Sequence, residues 1–230
     1  MKLNIIYEDQ HIIVVDKPPK VPSQGDPSGD KDMLTLLRDH LIEQNPKNKD
    51  PYIAVVHRLD RPVGGIMVFP KTKYACAELN REIQNKEMKK SYYCVTCSIP
   101  EEKNDRLINY LKRIKSLNMS KVVNEGANTA KEAILEYSVL GTTRNEEYGD
   151  LALLKINLIT GRHHQIRLQL SHHGYPLWGD RKYNKGFGRG KGWTQIALYA
   201  GELTFKHPKT KKDMTFNLEP PNVTPFNLFS

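Results

Sequence analysis

The sequence predicts an α+β fold with a mixed, mainly antiparallel central sheet and flanking helices. Three observations carry that prediction. Strand-like runs are mixed with separate helical stretches along the chain, as in folds whose helices flank an antiparallel sheet. Neighbouring strand runs are joined by polar loops, and the last two close the chain as a hairpin-like pair. With 38% hydrophobic and 27% charged residues over 230 positions, the composition is globular and long enough for a full core. No linker divides it, so residues 1–230 are read as one domain.

In chain order, NIIYEDQHIIVVDK reads as short strands at 4–8 and 11–16. A Pro-rich extended segment follows, in which no helix persists. DMLTLLRDHLIEQN has helical spacing, with Met33, Leu36, Leu37, His40 and Leu41 on one side and Asp32 as the cap. The run IAVV at 53–56 has a buried-strand pattern and leads into HRLDRPVGG. GIMVF then suits a buried strand, and KTKYACAELNREIQNK suits a helix.

SYYCVTCSI returns to strand-like residues, while the lysine-rich stretch 103–121 matches neither period. Strands are expected at 133–140 and 151–159. In TGRHHQIRLQLSHHG, Thr160 is placed to cap a helix and Gly174 to end it, although alternation also permits a strand. KGFGRGKGW at 185–193 is a basic glycine loop, and QIALYAGELTFKHP with DMTFNLEPP forms the closing pair.

Lys and Arg outnumber Asp and Glu by 35 to 26, giving a net charge of +9 and favouring a polyanionic partner. No basic segment precedes a long apolar one at the N-terminus, so a cytoplasmic, soluble chain without membrane contact is expected. Cys76, Cys94 and Cys97 are odd in number and form no disulfide framework. CVTC at 94–97 lies in a strand-like run, where positions three apart face opposite sides, so buried small side chains are preferred to a metal site. The His pairs at 163–164 and 172–173 have no completing acidic or thiol cluster, so capping, packing and polar surface contacts are preferred to a metal site. GFGRGKG fits neither the dinucleotide fingerprint nor the phosphate-binding loop.

What remains is Asp60 in HRLDRPVGG, flanked by Arg58 and Arg61. By itself it reads either as an ion-pairing loop residue or as a reactive carboxylate. HRLD stands in order with KPPKVPSQG at 17–25, KSY at 90–92, TGRHHQIR at 160–167 and GYPLWGDRKY at 174–183. Together these blocks resemble the RluA-type family of RNA pseudouridine synthases and span nearly the whole chain.

The resemblance implies an isomerase that converts uridine in ribosomal or transfer RNA to pseudouridine without metal or organic cofactor, on the pseudouridine synthase fold with a central active-site cleft. It implies that Asp60 is the nucleophile or base, that Arg167 is the cation keeping it ionised, and that Tyr92 stacks on the uracil. Arg58 is implied to enter the RNA beside the flipped base, with Leu59, Arg162, His164, Gln165 and Ile166 as further substrate-binding positions. Phosphate contacts are expected from Lys17, Lys71, Arg162, Arg181 and the 185–191 loop. Gly64 and Gly65 are expected to let the backbone turn and approach RNA closely.

The chain departs from the family where Val63-Gly64-Gly65 stands for the commoner Thr-Ser-Gly, and His163 for a frequent Thr. It is read as a short monomeric form without the small N-terminal RNA-binding module of many relatives. The rival readings are an inactive RNA-binding protein or chaperone of the same fold, and a nucleoside hydrolase.

Overall fold

A run as continuously apolar as IIVV at 12–15 needs cover on both faces of its strand, and all four side chains are fully buried. The structure, a computed structural model, describes residues 3–188 and 194–229. The chain divides into two compact units, residues 1–89 with 200–218 and residues 90–199 with 219–230.

In the first unit, β1 (Asn4–Glu8) and β2 (Ile12–Lys17) form an antiparallel hairpin. Its turn is held by Asp9, whose Oδ1 accepts the backbone N–H groups of His11 at 2.8 Å and Ile12 at 2.9 Å. Helix α1 (Met33–Gln44) begins at Asp32, whose carboxylate accepts the Thr35 N–H at 2.8 Å, as the capping pattern predicts. Strand β3 (Gly64–Pro70) lies antiparallel to β2 with Val14 opposite Val68. Helix α2 (Lys73–Gln84) is capped by Thr72. The IAVV run is not a strand. It is irregular backbone fastened to β3 by the Ala54 N–H on Pro70 O and by Val68 N–H on His57 Nε2.

In the second unit, β4 (Lys89–Thr96), β5 (Asn104–Ile114), β6 (Met119–Val123), β7 (Lys131–Asn145) and β8 (Gly149–Leu158) run in the order β4-β8-β7-β5-β6. Each neighbouring pair is antiparallel. The stretch 103–121 thus holds a strand, a 3-10 turn at Lys115–Leu117 and the start of another strand. Its period was hidden because β5 carries apolar residues on both faces, Leu107 and Leu111 buried and Ile108 52% exposed.

Helix α3 (Gln165–His172) is shorter than TGRHHQIRLQLSHHG suggests. Thr160 does not cap it. That hydroxyl accepts from Ile134 N–H and lies 2.8 Å from Gln165 Oε1, so it ties β7 to the approach of the helix. The helix ends as predicted at Gly174, with φ 87. Gly174 N–H donates to Ser171 O and Tyr175 N–H to Leu170 O, the paired bonds of a left-handed helix stop. Gln169 Nε2 fastens α3 to the sheet through Leu107 O, Ala133 O and Asn109 Oδ1. The single turn α4 (Lys185–Gly188) occupies the start of the expected glycine loop; Arg189 and Lys191 lie outside the described residues.

Strand β9 (Leu198–Lys206) then pairs antiparallel with β10 (Asp213–Asn217), the predicted closing hairpin. In the first unit Leu203 and Phe205 of β9 join Ile12, Val14, Ile66, Val68, Ala75 and Leu79 in one core. Gly65 has φ 121, and a Cβ there would lie 2.3 Å from Ala200 O and 2.6 Å from Ala200 N. The close approach expected of this glycine is therefore made to β9, not to RNA. Gly65→Ala should lose about 2–5 kcal/mol of unfolding free energy, because it adds both a steric overlap with backbone and an unfavourable φ. Urea unfolding of the variant measures this, and an unchanged midpoint would show that β9 yields freely.

Among the described residues, no helix is long and apolar enough to cross a membrane.

Candidate active site

The site residues expected from the sequence fall into two sets, one in each unit. In the first, the Pro-rich segment after β2 folds back on the end of its own strand. Lys17 is fully buried, and its ammonium donates to Pro18 O at 3.0 Å, Val21 O at 2.8 Å and Arg61 O at 3.3 Å. Burial pushes this amine down to about 7, against the opposing pull of the Asp60 and Asp16 carboxylates. A lysine enclosed this way cannot reach a phosphate, and the expectation of such a contact is corrected. Lys71 is corrected likewise: its Nζ is spent on Glu8 Oε1 at 2.6 Å and Asp9 O at 2.7 Å.

The backbone that carries Asp60 is held from both sides. Ser23 Oγ donates to Leu59 O at 2.9 Å and accepts from Leu59 N–H at 3.2 Å, with both residues buried. After Asp60, Val63 N–H closes a turn onto Asp60 O at 2.9 Å. Lys20 and Arg61 exchange bonds, N–H to carbonyl and Nε–H to carbonyl, each 2.9 Å. The Arg61 guanidinium also binds Asp26 and Asp30. Asp60 itself is part-exposed, Arg58 before it is exposed and Leu59 is buried.

The second set centres on α3. Arg167 is buried, and its Nε and Nη2 donate to Asp180 Oδ2 at 2.8 Å and Oδ1 at 2.7 Å. Asp180 also accepts Lys182 N–H at 2.8 Å and Tyr183 N–H at 3.2 Å, which fixes the turn that follows Gly179. What the sequence reading missed is its bidentate bond to Arg167. A buried arginine needs a carboxylate, and Asp180 is the only acid in the GYPLWGDRKY block. The Tyr183 ring lies under the guanidinium, 5.4 Å from Cζ to centroid.

Around this pair, Gln165 Oε1 accepts Arg162 N–H at 2.9 Å while its Nε2 donates to Ile134 O at 3.0 Å. Gln165, Ile166 and His164 are buried, whereas Arg162 is part-exposed with Nε on Glu132 O. His164 adopts left-handed φ 55 at the start of α3, and its Nδ1 lies 2.9 Å from the Tyr183 hydroxyl. Burial, with Arg167, His163 and Lys182 adding like charge, pushes its imidazole down to about 2. Tyr92, on β4 opposite Ile156 of β8, is buried.

The His164 shift has a definite sign. Its folded value lies below the unfolded 6.5, so the unfolded chain binds the extra proton and stability falls as pH drops below about 6.5. The slope from this group approaches about 1.4 kcal/mol per pH unit. Comparing wild type with His164→Gln by urea unfolding between about pH 6 and pH 4 should show the variant's slope smaller by that amount. Equal slopes would mean that the folded protein protonates His164 freely.

Burial pushes the Cys94 thiol far up, in keeping with a packing role for CVTC. Among the described residues, no group of three or more His, Cys, Asp or Glu side chains is placed to hold a metal ion.

A family model described as RNA pseudouridylate synthase matches residues 11–172. An uncharacterised RNA pseudouridine synthase of Mycoplasma pneumoniae is 31% identical over 94% of this chain and 66% of its own length. The ribosomal large subunit pseudouridine synthase D of Vibrio cholerae is 30% identical over 96% of this chain and 68% of its own. The chain thus spans about two thirds of the length of these relatives. In fold, the human RNA pseudouridylate synthase domain containing 4 superposes with a TM-score of 0.77 at 20% identity, covering 98% of this chain and 91% of that one.

Proposed function

Because the chain belongs to the RluA-type branch of the RNA pseudouridylate synthase family, we propose that it isomerises uridine to pseudouridine in RNA. The observation that carries this reading is the family match itself, which runs from residue 11 to residue 172 and takes in Asp60, Tyr92 and Arg167. In the reaction the N1–C1′ bond breaks, the uracil turns, and C5 bonds to C1′. The proton leaves C5 and N1 acquires one, so no oxidant or added group is consumed.

Asp60 is assigned as nucleophile or base, a role that needs it ionised. Its placement on a doubly held loop and its electrostatic coupling to the Lys17 amine support that assignment. Arg167 is assigned as the cation that keeps Asp60 charged, with Asp180 and Tyr183 fixing the orientation of the guanidinium. Asp180 occupies two of its five N–H groups. Tyr92 is assigned as the stacking platform for the uracil. The uridine must leave its stack at a cost of a few kcal/mol, and exposed Arg58 is assigned to hold the gap. Leu59, Arg162, His164, Gln165 and Ile166 are assigned as further substrate-binding positions, with part-exposed Arg162 a candidate to reach RNA. The single catalytic domain is proposed to act as a monomer without a cofactor.

Ribosomal RNA is the first substrate to test, since the Vibrio cholerae relative is by name a ribosomal large subunit synthase; transfer RNA is the second. RNA labelled with tritium at uracil C5, prepared from cells lacking this protein, should lose label to water on incubation with it. Release from the ribosomal fraction without free uracil supports the synthase. Free uracil would instead indicate a hydrolase, and binding without release from either fraction would indicate an RNA-binding protein.

A further inference from the structure

Positions 111–124 contain Lys112, Arg113, Lys115 and Lys121 and no acidic residue. This stretch forms the end of β5, the 3-10 turn Lys115–Leu117 and β6, with Lys112 opposite Lys121 across the hairpin. Among the described residues no carboxylate pairs with any of the four cations. At the tip stands Leu117, 62% exposed, more than any other large apolar side chain described.

An exposed leucine among cations is not unusual by itself on a loose loop. This turn is braced. Ser120 N–H donates to the Tyr183 hydroxyl at 2.7 Å, and Ser120 Oγ donates to His163 O at 2.9 Å. The His163 ring lies 2.9 Å from Ser120 Oγ through Nδ1 and 3.1 Å from Asn118 Oδ1 through Nε2. Lys182 Nζ donates to Asn118 O at 2.6 Å, and Asn118 takes φ 45 to end the turn. His163 therefore spans both sides of the tip, which the single hydroxyl of a threonine at that position cannot do. The brace joins the turn to the approach of α3, and the exposed Lys182 is part of it, next in sequence to exposed Arg181.

We propose that the β5–β6 turn is an RNA-reading finger, in which Arg113, Lys115 and Lys121 hold phosphates and Leu117 packs against an unstacked base. This rests on the reading of the protein as an RNA-modifying enzyme. The cations alone would suit any polyanion. A fixed apolar tip between them suits a strand that presents phosphates and bare base faces together, as single-stranded loops of RNA do. Apolar side chains placed this way wedge against base steps, and a tip ordered before binding avoids the entropy of ordering it on contact.

The test uses the full chain and a fluorescein-labelled, in-vitro-transcribed RNA stem-loop, with Kd measured by anisotropy over a KCl series. Arg113→Gln with Lys115→Gln should weaken binding and reduce the slope of log Kd against log salt by about 1–2. Leu117→Ser should raise Kd about tenfold and leave the salt slope unchanged, since it removes a contact without a charge. All three side chains are exposed, so melting temperatures should match wild type. If wild type binds and releases tritium while both variants bind equally well with the same slope, the finger is overturned and the enzymatic reading stands. If wild type neither binds RNA nor releases tritium, the enzymatic reading falls and the finger with it.

Discussion

Asp60→Asn should reduce tritium release from uracil-labelled RNA by at least about a thousandfold while leaving the fold unchanged. The substitution keeps the size of the side chain and removes the charge that a nucleophile or base requires, and loss of such a group is rarely compensated by the rest of a site. Folding should not suffer, because the loop is held through backbone atoms: Ser23 on Leu59, and Val63 on the Asp60 carbonyl. A neighbouring effect is expected on Lys17. The Asp60 carboxylate favours the charged amine, so its loss should lower the Lys17 value further from about 7. Activity of Asp60→Asn within tenfold of wild type, in a preparation with unchanged circular dichroism, would return Asp60 to the status of an ordinary loop acid.

Breaking the Arg167–Asp180 pair should have the largest effect on stability. Both side chains are almost entirely out of water, and the two bonds of 2.7 and 2.8 Å join their opposite charges directly. Either Arg167→Leu or Asp180→Ala leaves the other charge buried without its ion-pair partner, which costs about 3–5 kcal/mol. The double replacement Arg167→Met with Asp180→Leu removes both charges and should recover much of that loss. Denaturant unfolding of the three variants decides this, and strictly additive losses would show that the two residues stabilise the fold independently. The double variant also separates structure from chemistry: with its stability restored it should still lack tritium release, because the proposed counter-charge to Asp60 is gone.

Much of the fold was legible in residue order. The Asp32 cap, the apolar runs of β2 and β3, the α2 stretch, the Gly174 stop and the closing hairpin each rest on contacts made within a few positions of one another or on an unbroken run or period. The reading failed where distant chain decided. IAVV is apolar enough for a strand, yet one backbone bond to Pro70 and the His57 ring hold it as irregular chain. Thr160 looks like a cap until Ile134 claims its hydroxyl. The stretch 103–121 has no visible period because one face of β5 is core and the other carries exposed apolar and basic residues.

The same division holds for the site. Residue order is enough to show which side chains can do chemistry: one acid in HRLD, one arginine in HQIR and one tyrosine in KSY, in an order that points to a single family. Their surroundings are set by the folded chain. It encloses Lys17 among carbonyls instead of offering it to phosphate, presses Gly65 against Ala200, locks Arg167 on Asp180, and braces the β5–β6 tip on His163 and Tyr183. Motifs record what a side chain is able to do. Whether it is free to do so depends on desolvation and hydrogen-bond partners that come from residues tens of positions away, and these exist only once the chain has folded.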